Sequence, residues 1–127
     1  MSQADIIVLS IPYTKETHHL IDENSISFIK KGAFLINIAR GSIIKEPALI
    51  EALGKGEIRG AALDVFEEEP LPEDSPLWNM NNVIITPHNS WVSEMRNERR
   101  YDIIHENMKR FISGEKLINI VNIEKGY

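Results

Sequence analysis

The stretch AFLINIARGSIIKEPALIEALGKGEIRGAALDV, residues 33–65, decides the predicted fold of this chain. It begins with an apolar run at residues 33–38 and ends with another at residues 60–65, and both runs are typical of buried strands. Between them, Pro47 suits the first turn of a helix, whose apolar stripe is formed by Leu49, Ile50 and Leu53. The stretch therefore predicts a strand, a helix and a second strand, which together make one unit of a parallel sheet.

The same alternation continues on both sides of that stretch. Residues 5–11 (DIIVLSI) form a β-branched run stopped by Pro12, which predicts a strand buried on both faces. Residues 83–85 predict a short fourth strand. Strands and helices at this spacing predict an α/β fold with a parallel sheet.

Two further helices are predicted outside the central stretch. One covers residues 22–32, and the other covers residues 90–113, with Ser90 as its cap and with burial only in its first and last turns. Residues 66–81 contain three prolines and an acidic run, which predict a loop with one helical turn. Residues 117–123 predict an extended tail.

The composition narrows the possible functions. The chain has 127 residues, enough for one modest core, and its net charge of -5 argues against binding to nucleic acid or anionic lipid. The absence of cysteine excludes disulfides and thiolate metal sites, and His18 and His19, read as solvent-facing, lack a third ligand, so no metal site is predicted. No apolar stretch could span a membrane and the N-terminus does not look like a signal peptide, so a cytoplasmic location is expected.

Polar side chains follow each of the four predicted strands. In parallel sheets, ligands bind outside the carboxyl ends of the strands. Those ends carry, in chain order, Pro12-Tyr13-Thr14, Ala39-Arg40-Gly41, Glu67-Glu68-Glu69-Pro70 and Thr86-Pro87-His88. Each segment alone is a common surface feature, but four of them on one edge indicate a site. Its candidate acid–base residues are Arg40, Glu69 and His88.

Three segments of the chain carry a family pattern. They are residues 4–21 (ADIIVLSIPYTKETHHLI), residues 36–70 (INIARGSIIKEPALIEALGKGEIRGAALDVFEEEP) and residues 82–88 (NVIITPH). They resemble the NAD-dependent D-2-hydroxyacid dehydrogenases, which include phosphoglycerate dehydrogenase and the C-terminal-binding-protein corepressors. Residues 88–91 (HNSW) are most similar to the corepressor branch.

The resemblance implies both a fold and a division into domains. The fold would be the second half of a Rossmann-type doubly wound parallel sheet, followed by a long C-terminal helix. Residues 1–113 would form a partial NAD-binding domain. Residues 114–127 would form a tail directed toward a substrate domain.

The resemblance also implies a reaction and three catalytic residues. Arg40 matches the arginine that grips the carboxylate and carbonyl of the substrate, a task that suits its planar fork. His88 matches the histidine that exchanges a proton with the keto or hydroxyl oxygen. Glu69, directly before a proline, matches the acid that is paired with this histidine. The implied reaction interconverts a small D-2-hydroxy acid and its 2-keto acid by hydride transfer.

The implied cofactor is NAD, with NADP as an open alternative. Its predicted contacts at the nicotinamide end are Ile38, Ala39, Arg40, Asp64, His88 and Trp91. The loop after the first strand resembles the one that passes under the adenosine ribose and pyrophosphate, and its predicted contacts are Ile11, Pro12, Tyr13 and Thr17. Two assignments stay open, because Asp64 also suits a loop anchor and Trp91 also suits a core position.

The chain contains no G-x-G-x-x-G phosphate loop. The resemblance implies that this loop and most of the substrate domain lie upstream, so very poor turnover by this chain alone is expected. A non-catalytic, corepressor-like interaction module and a truncated remnant remain as alternatives. The edge of the first strand, without its usual neighbour, predicts a homo-oligomer formed through that edge or through the dimer surface of the family.

Overall fold

The computed structural model describes all 127 residues, and its centre is a four-stranded parallel sheet. The strands are β1 (Ile6–Leu9), β2 (Phe34–Asn37), β3 (Gly60–Leu63) and β4 (Val83–Ile85). They lie side by side in the order β1-β2-β3-β4, and every neighbouring pair is parallel. The predicted α/β class with a parallel sheet is therefore confirmed, and all four carboxyl ends lie along one edge.

Three α-helices and two short 3-10 helices connect or follow the strands. The α-helices are α1 (Glu23–Ser27), α2 (Glu46–Gly54) and α3 (Arg96–Ile112). The 3-10 helices are Gly41–Ile43 and Pro76–Asn79, and the second is the helical turn predicted within residues 66–81. None of the helices is long and apolar enough to cross a membrane.

Helix α1 is shorter than predicted. Asp22 caps it as expected, accepting a hydrogen bond from the Ser25 amide at 2.8 Å. The helix ends at Ser27 instead of continuing to residue 32, because the Ser27 hydroxyl bonds to the Asn24 carbonyl at 2.5 Å and the Phe28 amide turns back to the Ser25 carbonyl. Local hydroxyl bonds of this kind compete with the helical pattern.

The core lies on one face of the sheet, under α1 and α2. Its fully buried side chains include Leu35 on β2 and Leu49 on α2. The opposite face stays open, so the prediction that the first strand is buried on both faces is wrong. Ile6 and Val8 are 58% and 52% exposed. Side chains alternate between the two faces of a strand, and only one face of this sheet is covered by helices.

Residues 91–127 form a second compact unit, separate from the unit Met1–Ser90. Helix α3 begins at Arg96 and not at Ser90, and it buries none of its residues, so the predicted start and the predicted burial of its end turns are both wrong. The helix is stabilised by its own backbone hydrogen bonds, by the ion pair between Glu106 and Arg110 and by polar contacts with the tail. The predicted domain boundary after residue 113 concerns a longer protein and stays a prediction.

The tail after α3 folds back on the helix instead of extending. The side chain of Asn107 bonds to both the amide and the carbonyl of Ile118, at 2.9 and 3.1 Å. Arg110 donates to the carbonyl of Lys116 at 3.2 Å. These polar contacts bend the chain, and the prediction of an extended segment at residues 117–123 is wrong.

Candidate active site

Asp64 follows β3 at the carboxyl edge of the sheet and is 3% exposed. Its Oδ1 accepts hydrogen bonds from the Thr86 hydroxyl at 2.5 Å and the Asn89 amide at 2.9 Å, and its Oδ2 accepts one from the Ser90 amide at 2.8 Å. Burial alone would raise the pKa of Asp64, but these hydrogen bonds outweigh burial and hold that pKa well below its usual range. Asp64 therefore has the geometry of a loop anchor, and its contact with a nicotinamide stays a prediction.

The same anchor also fixes Ser90, six residues before the start of α3. The Ser90 amide is bonded to Asp64, which lies 26 residues earlier in the chain. That bond holds residues 89 and 90 in the loop after β4. Ser90 closes this loop, and the helix begins only at Arg96.

His88 lies inside the loop held by Asp64 and meets Glu69 there. The His88 amide bonds to the Thr86 carbonyl at 3.1 Å, and His88 has a φ of 49°, in the left-handed region. Its Nδ1 lies 2.8 Å from Oε2 of Glu69, and both side chains are partly exposed. The structure thus brings two of the three predicted catalytic residues into direct contact.

The second carboxylate oxygen of Glu69 is also engaged. Oε1 accepts the Phe66 amide at 3.0 Å. Burial would raise the pKa of Glu69, but the hydrogen bonds from His88 and Phe66 and the nearby charges of His88 and Arg40 lower the pKa below its ordinary value. Glu69 is therefore ionised near neutral pH, and because a carboxylate only accepts hydrogen bonds, Nδ1 of His88 is the donor.

Arg40 follows β2, and its backbone is fixed by Asn37. The Asn37 side chain is fully buried, accepts the Ala39 amide at 3.0 Å and donates to the Arg40 carbonyl at 2.9 Å. The exposed Arg40 side chain donates to the Ala39 carbonyl at 2.7 Å, and its charge acts on Glu69. Asn37 was not among the predicted site residues, although a polar residue on the buried face of a strand was a usable signal.

Gly41 lets the chain after Arg40 pass close to the loop that carries Glu69. A Cβ atom at position 41 would lie 1.9 Å from the carbonyl carbon and oxygen of Phe66. Only a residue without a side chain fits this approach. The arginine and the glutamate of the candidate site are therefore brought together by backbone packing.

The loop after β1 carries four of the predicted cofactor contacts. The Thr17 hydroxyl donates to the Pro12 carbonyl at 2.9 Å and accepts the Thr14 amide at 2.7 Å, which closes the loop on itself. Ile11 and Ile38, near the ends of the neighbouring strands β1 and β2, are 37% and 44% exposed. They give the carboxyl edge an apolar surface on which a flat aromatic ring could lie.

A cleft of about 590 Å³ adjoins the His88–Glu69 pair. Apart from that pair, its walls are mainly apolar and include Phe66, Leu71, Trp78 and Ile85. Its size is within the range of small-molecule sites. The acid–base pair thus lies at the wall of a concave, mostly apolar space.

His18 and His19 were both predicted to face solvent, which is confirmed for His18 and in part for His19, whose side chain is 32% exposed. Its Nε2 lies 2.5 Å from Oε1 of Glu67, a residue 48 positions later. His18 is exposed and stacks on His19 with ring centroids 3.8 Å apart. The structure contains no group of three or more histidine, aspartate or glutamate side chains arranged to hold a metal ion.

Trp91 lies in the second compact unit, where Arg96 lies over its ring at 4.4 Å from the centroid. Arg100 lies 5.8 Å from the same centroid. Such cation–π contacts are ordinary stabilising contacts of exposed tryptophan side chains. The predicted place of Trp91 beside a cofactor stays a prediction.

Comparison with known proteins gives a consistent match. The family described as "D-isomer specific 2-hydroxyacid dehydrogenase, NAD binding domain" matches residues 1–90. D-3-phosphoglycerate dehydrogenase of Methanocaldococcus jannaschii is 46% identical over 121 residues, which are 95% of this chain and 23% of that protein. Glyoxylate reductase of Korarchaeum cryptofilum is 40% identical over 98% of this chain and 37% of its own length.

A solved structure gives the same result. The D-isomer specific 2-hydroxyacid dehydrogenase from Xanthobacter autotrophicus Py2, determined in complex with NADPH and MES, superposes with a TM-score of 0.92 and 42% sequence identity. The match covers 99% of this chain and 51% of that one. The chain therefore spans about half or less of the length of these relatives.

Proposed function

This chain belongs to the D-isomer specific 2-hydroxyacid dehydrogenase family, as part of its NAD-binding domain, and we propose that it forms the side of the active-site cleft that carries the catalytic residues. The proposed reaction interconverts a D-2-hydroxy acid and its 2-keto acid. One observation carries the proposal: His88 and Glu69 are hydrogen-bonded at the carboxyl edge, with the charge of Arg40 acting on Glu69. The reaction needs a proton-transfer group with a carboxylate partner and a cation nearby to bind an acidic substrate, and these three groups are present.

We assign the proton-transfer step to His88. Glu69 accepts the hydrogen bond from Nδ1, which fixes the orientation of the ring and assigns proton exchange with the substrate oxygen to Nε2. The negative charge of Glu69 also stabilises the imidazolium that forms when the substrate is a hydroxy acid. The nicotinamide cofactor, when bound, supplies or accepts the hydride.

We assign substrate binding to Arg40. Its guanidinium offers parallel N–H groups that match a carboxylate and an adjacent carbonyl. Asn37 and Gly41 hold the backbone on both sides of Arg40, so the side chain starts from a fixed position. Orienting the substrate in this way is a large part of catalysis, because hydride transfer requires close alignment.

The residues at the carboxyl edge suit a nicotinamide dinucleotide. The exposed side chain of Ile38 offers an apolar surface for the nicotinamide ring, and the exposed side chain of Ile11 is assigned to the adenosine end. The closed loop at residues 12–17 presents Tyr13 and the threonines at the end of β1. We propose NAD as the cofactor, with NADP as the alternative, since the Xanthobacter relative was determined with NADPH.

Binding of a substrate mimic tests this proposal without requiring turnover. Oxamate carries the carboxylate and carbonyl of a 2-keto acid, so we expect millimolar oxamate to shift the ring signals of His88 in an NMR titration of the whole chain. The variant Arg40→Met should lose that shift, whereas Arg59→Met, which changes an arginine on the far side of the sheet beside Phe34, should keep it. Equal shifts in the wild type and in Arg40→Met, or no shift in either, would contradict the proposal.

We further propose that the isolated chain self-associates through β1. This strand is at one end of the sheet and has no neighbour on its outer side. Its exposed Ile6 and Val8 adjoin unpaired backbone groups, a combination that favours pairing with the same strand of a second copy. Light scattering tests this self-association, and a clean monomer at high concentration would contradict it.

The cytoplasmic location stays a prediction.

A further inference from the structure

The contact between His19 and Glu67 connects two loops of the carboxyl edge. His19 ends the loop after β1, and its backbone amide is fixed by the Ser42 carbonyl at 2.8 Å. Its Nε2 lies 2.5 Å from Oε1 of Glu67, which follows β3. Both side chains are about one-third exposed, at 32% and 28%.

Glu67 is held on a second side by the start of α2. Its Oε2 accepts the Glu46 amide at 2.9 Å, and its own amide donates to Oε2 of Glu46 at 3.3 Å. Burial and the negative charges of Glu67 and Glu68 raise the pKa of Glu46, although the hydrogen bond from the Glu67 amide opposes this. Lys45 is the nearby cation, and it is already paired with Glu23 at 2.6 Å. The imidazole of His19 is thus the side chain that bonds to the Glu67 carboxylate in this acidic environment.

The Glu67 contact is two residues from the proposed acid–base pair. Phe66, the residue before Glu67, donates its amide to Oε1 of Glu69. The carbonyl of Phe66 packs against Gly41, which fixes the start of this turn. Beyond Phe66, the direction of the turn depends on the contacts that Glu67 makes with His19 and Glu46.

A continuous series of contacts leads from the loop after β1 to His88. The Tyr13 hydroxyl lies 3.2 Å from Nδ1 of His18, and His18 stacks on His19. His19 contacts Glu67, and the turn that Glu67 begins carries Glu69, the partner of His88. Packed and hydrogen-bonded contacts of this kind are a route for energetic coupling between sites, and substitutions along them test whether coupling occurs.

We propose that His19 and Glu67 form a positioning clamp, which sets Glu69 against His88 and couples the loop at residues 12–19 to the acid–base pair. Neither residue touches the reacting atoms in this assignment. His19 and Glu67 are thus positioning residues for the proposed function. The proposal depends on that function for the catalytic role of His88. Its geometric part, the placement of Glu69, can be tested without substrate or cofactor.

The test is an NMR titration of the side-chain carboxyl carbon of Glu69 in the whole chain. In the wild type, the contact with His88 lowers the pKa of Glu69 despite burial. We expect His19→Leu to raise the pKa of Glu69 toward its ordinary value, because the released turn loosens the contact between Glu69 and His88. The variant His19→Gln should restore the low value, since its amide can still donate to Glu67.

Two further variants keep the result interpretable. Glu51→Gln breaks an exposed ion pair with Lys55 further along α2, which involves no residue of the clamp, and it should leave the pKa of Glu69 unchanged. Glu67→Met removes the contact with His19 from its other side, together with the hydrogen bond that Glu67 accepts from the Glu46 amide. This variant replaces His19→Leu if the leucine variant fails to fold.

An unchanged pKa of Glu69 in His19→Leu and in Glu67→Met would overturn the proposal. Equal rises in His19→Leu and His19→Gln would also overturn it, since the effect would then follow loss of the imidazole and not loss of the hydrogen bond. Unfolding of both clamp variants would assign the pair to the stability of the fold instead. The outcome is independent of the oxamate titration, so failure of the clamp and failure of the proposed function are distinguishable.

Discussion

Thr86 donates its hydroxyl to Oδ1 of Asp64 across 2.5 Å, and this contact joins the ends of β3 and β4. Asp64 also accepts the amides of Asn89 and Ser90, on the other side of His88. The histidine is therefore held on both flanks by one buried carboxylate. The placement of the proposed proton-transfer residue depends on a side chain that exchanges no proton with the substrate.

Replacement of Asp64 by asparagine should destabilise the fold. In Asp64→Asn one acceptor oxygen becomes an NH₂ group that faces a backbone or hydroxyl donor, and the charge that strengthens the remaining bonds is lost. We expect the free energy of unfolding to fall by about 2 kcal/mol in urea denaturation. Asp5→Asn is the matched control, because Asp5 is an exposed residue paired with Lys30 and should change little. Similar losses in both variants would contradict the anchoring role.

Acid should destabilise the chain through Asp64 and Glu69. The pKa of each lies below its ordinary value in the folded state, because hydrogen bonds outweigh burial. Their contribution to stability is therefore complete above the pKa of the unfolded carboxyl groups, ~4, and is lost as the pH falls through the folded values. Urea denaturation between pH ~5 and pH ~2 should show this decline, and Asp64→Asn should show less of it. The same dependence of stability on pH in the wild type and in Asp64→Asn would argue against this role of Asp64.

Gly41→Ala should be far more harmful than a glycine-to-alanine change elsewhere. The new Cβ would lie 1.9 Å from the Phe66 carbonyl, so the turn that carries Glu69 must move, at a cost of roughly 1–3 kcal/mol. Gly54→Ala is the control, since position 54 is in α2 and a Cβ there would have no neighbour within 4 Å. It should stabilise the chain by about 0.5–1 kcal/mol. Thermal unfolding of the two variants measures the difference, and equal effects would refute the close approach.

Loss of His88 should be visible in the titration of Glu69. In His88→Leu the hydrogen bond and the positive charge of the imidazole disappear, while burial and the Phe66 amide remain. We therefore expect the pKa of Glu69 to rise, as followed by carboxyl-carbon NMR. His105→Leu changes a histidine of the second unit, on α3, and should leave that pKa where it was. An unaltered titration in His88→Leu would show that the pair is not formed in solution.

The strands, α2 and the site at the carboxyl edge could be predicted because the sequence patterns that indicate them are local. The apolar runs and Pro47 lie within the segments they describe, and the parallel direction of the first three strands follows from the helices that connect them. The exposure of Val8 could not be predicted in this way, since burial of the outer face of a strand depends on which layers cover the sheet. That information is not contained in residues 5–11.

The errors at the site have a similar cause. Ser90 has the chemistry of a helix cap, but Asp64 binds its amide from 26 residues away. His19 lies in a polar segment typical of a solvated loop, and its partner Glu67 is 48 residues distant. Long-range pairs of this kind have no local signature. Asn37 is different, because a polar residue within an apolar strand is visible in the sequence, and such a residue, when it is buried, needs a hydrogen-bond partner.

The lack of buried residues in α3 has a consequence for how long each part of the chain survives limited proteolysis. A helix without packed side chains opens locally at little free-energy cost, and α3 presents trypsin with the closely spaced sites Arg96, Arg99 and Arg100. Trypsin should therefore cut early after Arg96, Arg99 or Arg100 and leave the sheet with its edge residues as a long-lived product. Mass spectrometry of the digest would show a resistant core that ends at Arg96, six residues beyond the end of the family match at residue 90.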